Sequence, residues 1–258
     1  MKLAISGKGG VGKTTLAAGL ARFFAGQGFH VYAVDADPDA SLGLALGLDP
    51  AVVASIPPIV EMRDLIAERT GGEGAFFSLN PEVGDLAERY SLSVHNIRFL
   101  KMGTVKKGGT SCYCRENSIL HALLTHLLLR QDEMVILDFG AGIEPLTRGT
   151  AEGVDLLVVV TEPSQVSLHT ARTVTALARD LEISNVVYVG NKVRSPAEAT
   201  FLEGQFPPGT LLGVIPFDEE EWTGALDRTG AAVGGSVRMA IEAIGKRVLA
   251  AYMKCTTG

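Results

Sequence analysis

The chain opens on Leu3-Ala4-Ile5-Ser6, a short apolar run closed by glycine, and a second run, Val31-Tyr32-Ala33-Val34, ends in Asp35. Between them, from Thr14 to Ala25, small and apolar residues recur at helical spacing. Short apolar runs bounded by turn residues have the form of strands buried on both faces. Strand, glycine loop, helix and strand make a βαβ unit, for which a right-handed crossover is expected. The same alternation continues along the chain. Met134 to Leu137, Leu156 to Val160, Asn185 to Val189 and Leu211 to Ile215 read as further buried strands, and Ser118 to Arg130 and Ser167 to Leu181 as helices. A three-layer α/β/α fold with a mostly parallel, doubly wound sheet follows.

Residues 51–110 break this rhythm at Pro57-Pro58, Gly71-Gly72 and Gly108-Gly109, so a less regular insertion is expected there, with one helix near Glu61 to Glu68. Near the end, Ile241, Ile244, Val248, Leu249 and Tyr252 recur at helical spacing and predict a closing helix docked on the sheet. That helix lacks the strongly basic face of a membrane-surface segment. A length of 258 residues suits one large α/β unit spanning residues 1–258, and 47% hydrophobic with 20% charged residues is ordinary globular usage. A net charge of −6 disfavours binding to nucleic acid or anionic lipid through bulk charge. Nothing in the pattern has the length of a membrane span or a secretory leader, so a cytoplasmic protein is expected.

Candidate chemistry gathers at four places. Gly7-Lys8-Gly9-Gly10-Val11-Gly12-Lys13-Thr14 fits the phosphate-loop pattern and lies between a predicted strand and helix, as that motif requires. Glycines let the backbone wind closely enough for several N–H groups to face phosphate oxygens, and the helix start adds its positive dipole end. Gly9, Gly10, Val11, Gly12, Lys13, Thr14 and Thr15 are the candidate nucleotide contacts. Lys13 is expected to neutralise the β- and γ-phosphates, and the Thr14 hydroxyl to ligate Mg²⁺. The second strand ends in Asp35-Ala36-Asp37-Pro38-Asp39, and such crowded carboxylates call for a cation or a donor beside them, which a Mg²⁺–nucleotide site would supply. Met134-Val135-Ile136-Leu137-Asp138 is an apolar strand ending in an acid, a candidate holder of Mg²⁺ through water; Gly140 and Gly142 beyond it would allow the backbone to move. Finally, Cys112-Tyr113-Cys114 precedes a predicted helix, a setting that favours thiolates. Two thiolates leave a tetrahedral metal site half complete, whereas a two-fold dimer would bring four to its axis. Of the three cysteines, Cys255 stands apart near the chain end.

Lys8, just after the first glycine of the loop, resembles the signature lysine of the deviant Walker A motif in the MinD/ParA and nitrogenase iron-protein superfamily. That resemblance implies a lysine reaching across a homodimer interface to the partner's ATP. By the same resemblance Asp37 positions the attacking water, Asp35 lies close to Mg²⁺, Asn191 with Lys192 contacts the adenine edge, and Pro216-Phe217 packs on the base. The segments Lys107-Gly108-Gly109, Cys112 to Ser118, Gly140 to Glu144 and Thr147 to Ala151 further resemble the CooC-type ATPases, which assist nickel insertion into carbon monoxide dehydrogenase. This implies dimerisation with ATP and a Ni²⁺ or Zn²⁺ ion on Cys112 and Cys114 of both chains. Two other readings belong to more distant relatives: an electron donor with a [4Fe–4S] cluster on the dimer axis, and a positioning ATPase that needs no metal. Ligand type alone does not choose among nickel, zinc and iron–sulfur.

Overall fold

In the computed structural model, the strands β1 (Lys2–Gly7), β2 (His30–Ala36), β3 (Ser91–Val94), β4 (Ile97–Lys101), β5 (Glu133–Ala141), β6 (Leu156–Thr161), β7 (Val186–Val193) and β8 (Leu211–Pro216) form one sheet. Its order is β3-β4-β2-β5-β1-β6-β7-β8. Among the described residues, only the β3–β4 pairing is antiparallel. The helices are α1 (Lys13–Gly26), α2 (Leu42–Ala45), α3 (Pro50–Ser55), α4 (Arg63–Thr70), α5 (Leu86–Arg89), α6 (Cys114–Leu129), α7 (Gln165–Asp180), α8 (Pro196–Glu203) and α9 (Gly235–Thr256), with a 3₁₀ turn at Ile59–Glu61. The residues described are 1–37, 39, 41–71, 78–103, 114–129, 133–143, 146, 151, 153–219 and 234–256.

The two-residue period of the strands sorts their side chains into two cores. Leu3, Ile5, Ala33, Ile136 and Val158 face Leu16, Leu20 and Phe24 of α1 and Ile241, Ile244 and Val248 of α9. Ala4, Val34, Leu137 and Val159 face Ile119, Leu123 and Leu127 of α6 and Ala171 and Val174 of α7. Both faces are therefore covered, which is why the central strands read as unbroken apolar runs rather than alternating ones. The chain passes from β1 over β5 to β2 on one side, and from β5 over β1 to β6 on the other. The C-terminal ends of β1 and β5 consequently flank the crevice where open α/β sheets take ligands.

The described residues within 51–110 hold β3, β4 and short helices. Ile97, Phe99 and Leu100 are buried in β4, which pairs in parallel with β2 from Val31↔Ile97 to Asp35↔Lys101. The anticipated helix is broken at Met62 into the 3₁₀ turn and α4, and α3 and α5 were not anticipated. β5 also runs past Leu137, so Asp138 and Phe139 lie within the strand, both fully buried, rather than beyond its end. Among the described residues no helix is long and apolar enough to cross a membrane.

Candidate nucleotide site

The loop between β1 and α1 is shaped by glycines that no other residue replaces. At Gly7 an added Cβ would lie 2.2 Å from the Val160 carbonyl oxygen, and Gly12 has φ +91° with its would-be Cβ 2.1 Å from Asn191 Nδ2. α1 then starts at Lys13 with no side-chain cap and no acidic residue in its first turn. Its leading N–H groups are left for an anion, and the dipole favours one.

Lys13 is buried and folds back, its ammonium donating to the Lys8 carbonyl at 3.1 Å. Desolvation lowers its pKa, while Asp138 and Asp37 act in the opposite sense. Asp35 and Asp138 are register partners on adjacent strands, both fully buried. Their roles differ. The Asp35 carboxylate accepts from the Leu42 N–H at 2.9 Å and the Asp37 N–H at 3.2 Å, and so fixes the turn that follows β2. Burial pushes its pKa up to about 6, against the lowering effect of those two bonds.

Among the described residues, neither carboxylate oxygen of Asp138 has a hydrogen-bond partner. Burial pushes its pKa to about 7, and the adjacent Asp35 adds to the rise; the Thr14 hydroxyl favours the anion without closing a bond of good geometry. A buried, unpartnered carboxylate is costly. Positive charge delivered beside Thr14 and Asp138 would remove that cost, so these residues fit a hydrated divalent ion whose remaining ligands are phosphate oxygens and water. Ser41 Oγ lies 3.4 Å from Thr14 Oγ1. Asp37 is half-buried and accepts from the Asp39 N–H at 2.9 Å, and Asp39 is exposed.

A cavity of about 290 Å³ lies beside the loop, lined by Gly10, Gly12, Thr15, Asn191, Lys192, Pro216 and Phe217 among others. The structure thus brings together the loop and both segments expected at the base. The Asn191 amide is nevertheless already engaged, donating to the Val11 carbonyl at 2.7 Å and accepting from the Lys192 N–H at 2.8 Å. The Arg194 guanidinium stacks on the Phe217 ring at 4.0 Å.

Three residues at the site were not singled out from the sequence. Ser6, fully buried, donates to the Gly142 carbonyl at 2.7 Å, Ser41 lies beside Thr14, and Glu162 pairs with Lys192 at 2.7 Å. Only Ser6 left a local trace, as the single polar residue at the end of an apolar strand next to the loop. Cys112 lies outside the described residues, and Cys114 opens α6. Among the described residues no group of three or more His, Cys, Asp or Glu is assembled to hold a metal ion.

Residues 2–225 match the CobQ/CobB/MinD/ParA nucleotide binding domain. The chain belongs to this family. It is a MinD/ParA-type ATPase, and it is 44% identical over 221 residues to the carbon monoxide dehydrogenase accessory protein CooC of Rhodospirillum rubrum, covering 84% of each chain. It is 42% identical over 226 residues to an uncharacterized ATP-binding protein of Methanocaldococcus jannaschii, covering 85% of this chain and 86% of the other. The cell division ATPase MinD of Pyrococcus furiosus shares the fold, with a TM-score of 0.66 at 21% identity over 96% of this chain and 98% of that one. Other MinD/ParA-type ATPases therefore have the same layered sheet, and the position of the loop in this one is a property of the fold.

Proposed function

We propose that this ATPase closes as a homodimer around two ATP molecules and uses that closure to handle a Ni²⁺ or Zn²⁺ ion for the maturation of carbon monoxide dehydrogenase. The observation that carries the reading is the likeness to CooC, 44% over 84% of both chains, in a sequence that holds Cys112-Tyr113-Cys114, the last of which opens α6. The cargo ion sits between the cysteine pairs of two subunits, and the recipient is the apo-dehydrogenase.

At the nucleotide, backbone N–H groups of Gly9 to Gly12 and the start of α1 hold the phosphates. Lys13 leaves the Lys8 carbonyl for the β- and γ-phosphate oxygens, and Lys8 of each subunit contacts the nucleotide bound by the other. Thr14 would hold Mg²⁺ directly and Asp138 through water, with Asp35 behind them; the ion would neutralise charge on the phosphate oxygens. Asp37 orients the water that attacks the γ-phosphorus as its bond to the bridging oxygen breaks. Asn191, Lys192, Pro216 and Phe217 enclose the base. Loss of the γ-phosphate releases the turn that Asp35 fixes and the end of β5. ATP drives the cycle only because it binds the closed dimer better than the open chain.

Anaerobic native mass spectrometry with and without ATP and Ni²⁺ tests this. Dimers carrying one Ni²⁺ or Zn²⁺ ion are expected, and Cys112→Ala with Cys114→Ala abolishes the metal while ATP still binds. A chain that stays monomeric in every combination, or a double variant that keeps one metal per dimer, refutes it.

A further inference from the structure

Two successive carbonyls of the phosphate loop are gripped from outside the loop. Asn191 Nδ2 holds the Val11 carbonyl at 2.7 Å, and Lys192 Nζ holds the Gly10 carbonyl, also at 2.7 Å. In a trans peptide the carbonyl and the following N–H point in opposite directions. Fixing the Gly10 carbonyl therefore aims the Val11 N–H, and fixing the Val11 carbonyl aims the Gly12 N–H, both away from β7. The Val11 N–H reaches the Lys8 carbonyl only at 3.5 Å, the outer limit of a hydrogen bond, so it is readily yielded to an anion.

Lys192 reaches the loop at a cost. Its φ is +56°, a left-handed conformation that a side chain with a Cβ rarely adopts. Its ammonium is also tied to Glu162 Oε1 at 2.7 Å. Glu162 in turn is anchored: its N–H donates to Ser167 Oγ at 3.0 Å, and Thr161 Oγ1 donates to the same oxygen at 2.9 Å. Ser167 is buried in the first turn of α7, whose start Ser164 caps. A chain of fixed groups thus runs from the end of β6, through Glu162 and Lys192, to the phosphate loop.

We propose that Glu162 and Lys192 are positioning residues that preset the phosphate loop for ATP, with Glu162 acting only through Lys192. Strain at a residue whose side chain makes such contacts is the mark of a conformation retained for what it holds. Because the loop grips phosphate alike in ground and transition states, loosening it weakens binding and spares the chemical step.

The test uses the full-length protein, with Kd for Mg-ATP by calorimetry, steady-state kcat, and thermal unfolding. Lys192→Gly suits the left-handed backbone while deleting the grip. It is expected to keep or raise the melting temperature and to weaken binding of Mg-ATP and of base-free magnesium tripolyphosphate alike, roughly tenfold, with a smaller change in kcat than in Kd. Glu162→Gln is expected to weaken binding about threefold in the native background and to have no further effect in the Lys192→Gly background. Because both side chains are part-exposed, with relative exposures of 32% and 25%, the Glu162→Gln effect should shrink at high salt. An unchanged Kd in Lys192→Gly, or an equal Glu162→Gln effect in both backgrounds, overturns the proposal.

Discussion

Asp138 concentrates the tension of the site in one side chain. Without a cation it is a buried carboxylate beside another, only partly offset by the Lys13 ammonium, and burial pushes its pKa up to about 7, so that below this pH a proton substitutes for the cation. Asp35 and Asp138 both titrate above the 3.8 of a free aspartate, so the folded chain retains protons that the unfolded chain has released. The stability from the neutral forms is complete below about pH 4 and fades as pH rises through about 6 and 7. In EDTA, the urea midpoint should therefore fall between pH 5 and pH 8. Asp138→Asn should flatten that fall and raise stability at pH 8 by roughly 2–4 kcal/mol, while lowering ATP turnover by about two orders of magnitude. A variant that loses stability at pH 8 would mean that Asp138 has a partner in solution.

At the scale of elements, the notable join lies between β1 and β5. Their register slips between Ile5 and Gly7, so two steps on β1 span three on β5, from Asp138 to Ala141. Such a bulge disrupts ladder hydrogen bonds locally. Ser6 supplies a substitute bond to the Gly142 carbonyl, where φ is +107°. Removing one such bond is worth about 1 kcal/mol, a factor of roughly five in an equilibrium. Ser6→Ala should accordingly lower kcat about fivefold with KM little changed, and speed amide exchange over residues 139–143. Unchanged exchange there would show that the bond restrains nothing. Local sequence pattern suffices for some elements and not for others. β1, β2, β5, β6 and β7 were legible because both faces of each are largely buried, giving unbroken apolar runs; β8, at the margin and buried only at Leu212 and Ile215, was legible because its residues are apolar throughout. β4 was not, because Arg98 interrupts its apolar residues and Lys101 ends them. The glycine loop and the two acids of the site were likewise legible, since their spacing is local. The grip of Lys192 on Gly10 spans 182 positions, and no local pattern encodes it.

For the molecule as a whole, β1 is the keystone, with Leu3, Ala4, Ile5 and Ser6 entirely buried and the nucleotide loop at its tip. A ligand bound there stabilises the entire sheet by mass action. Mg-ATP at about a hundred times its Kd should add roughly 2.7 kcal/mol to unfolding, and Lys13→Ala should abolish that gain. The sheet's outer limits matter too. Among the described residues it stops on one side at β3, four residues long with Ser91 and Ser93. On the other it stops at β8, where Arg247 of α9 donates to the Leu212 carbonyl. An unfinished strand margin invites a neighbouring molecule to continue it, and charged side chains laid along it are a means of refusal. The closing helix therefore works as a bumper as well as a lid on the core. Arg247→Ser would leave the melting point nearly intact, yet the concentrated variant would cloud and bind amyloid dyes sooner than its parent.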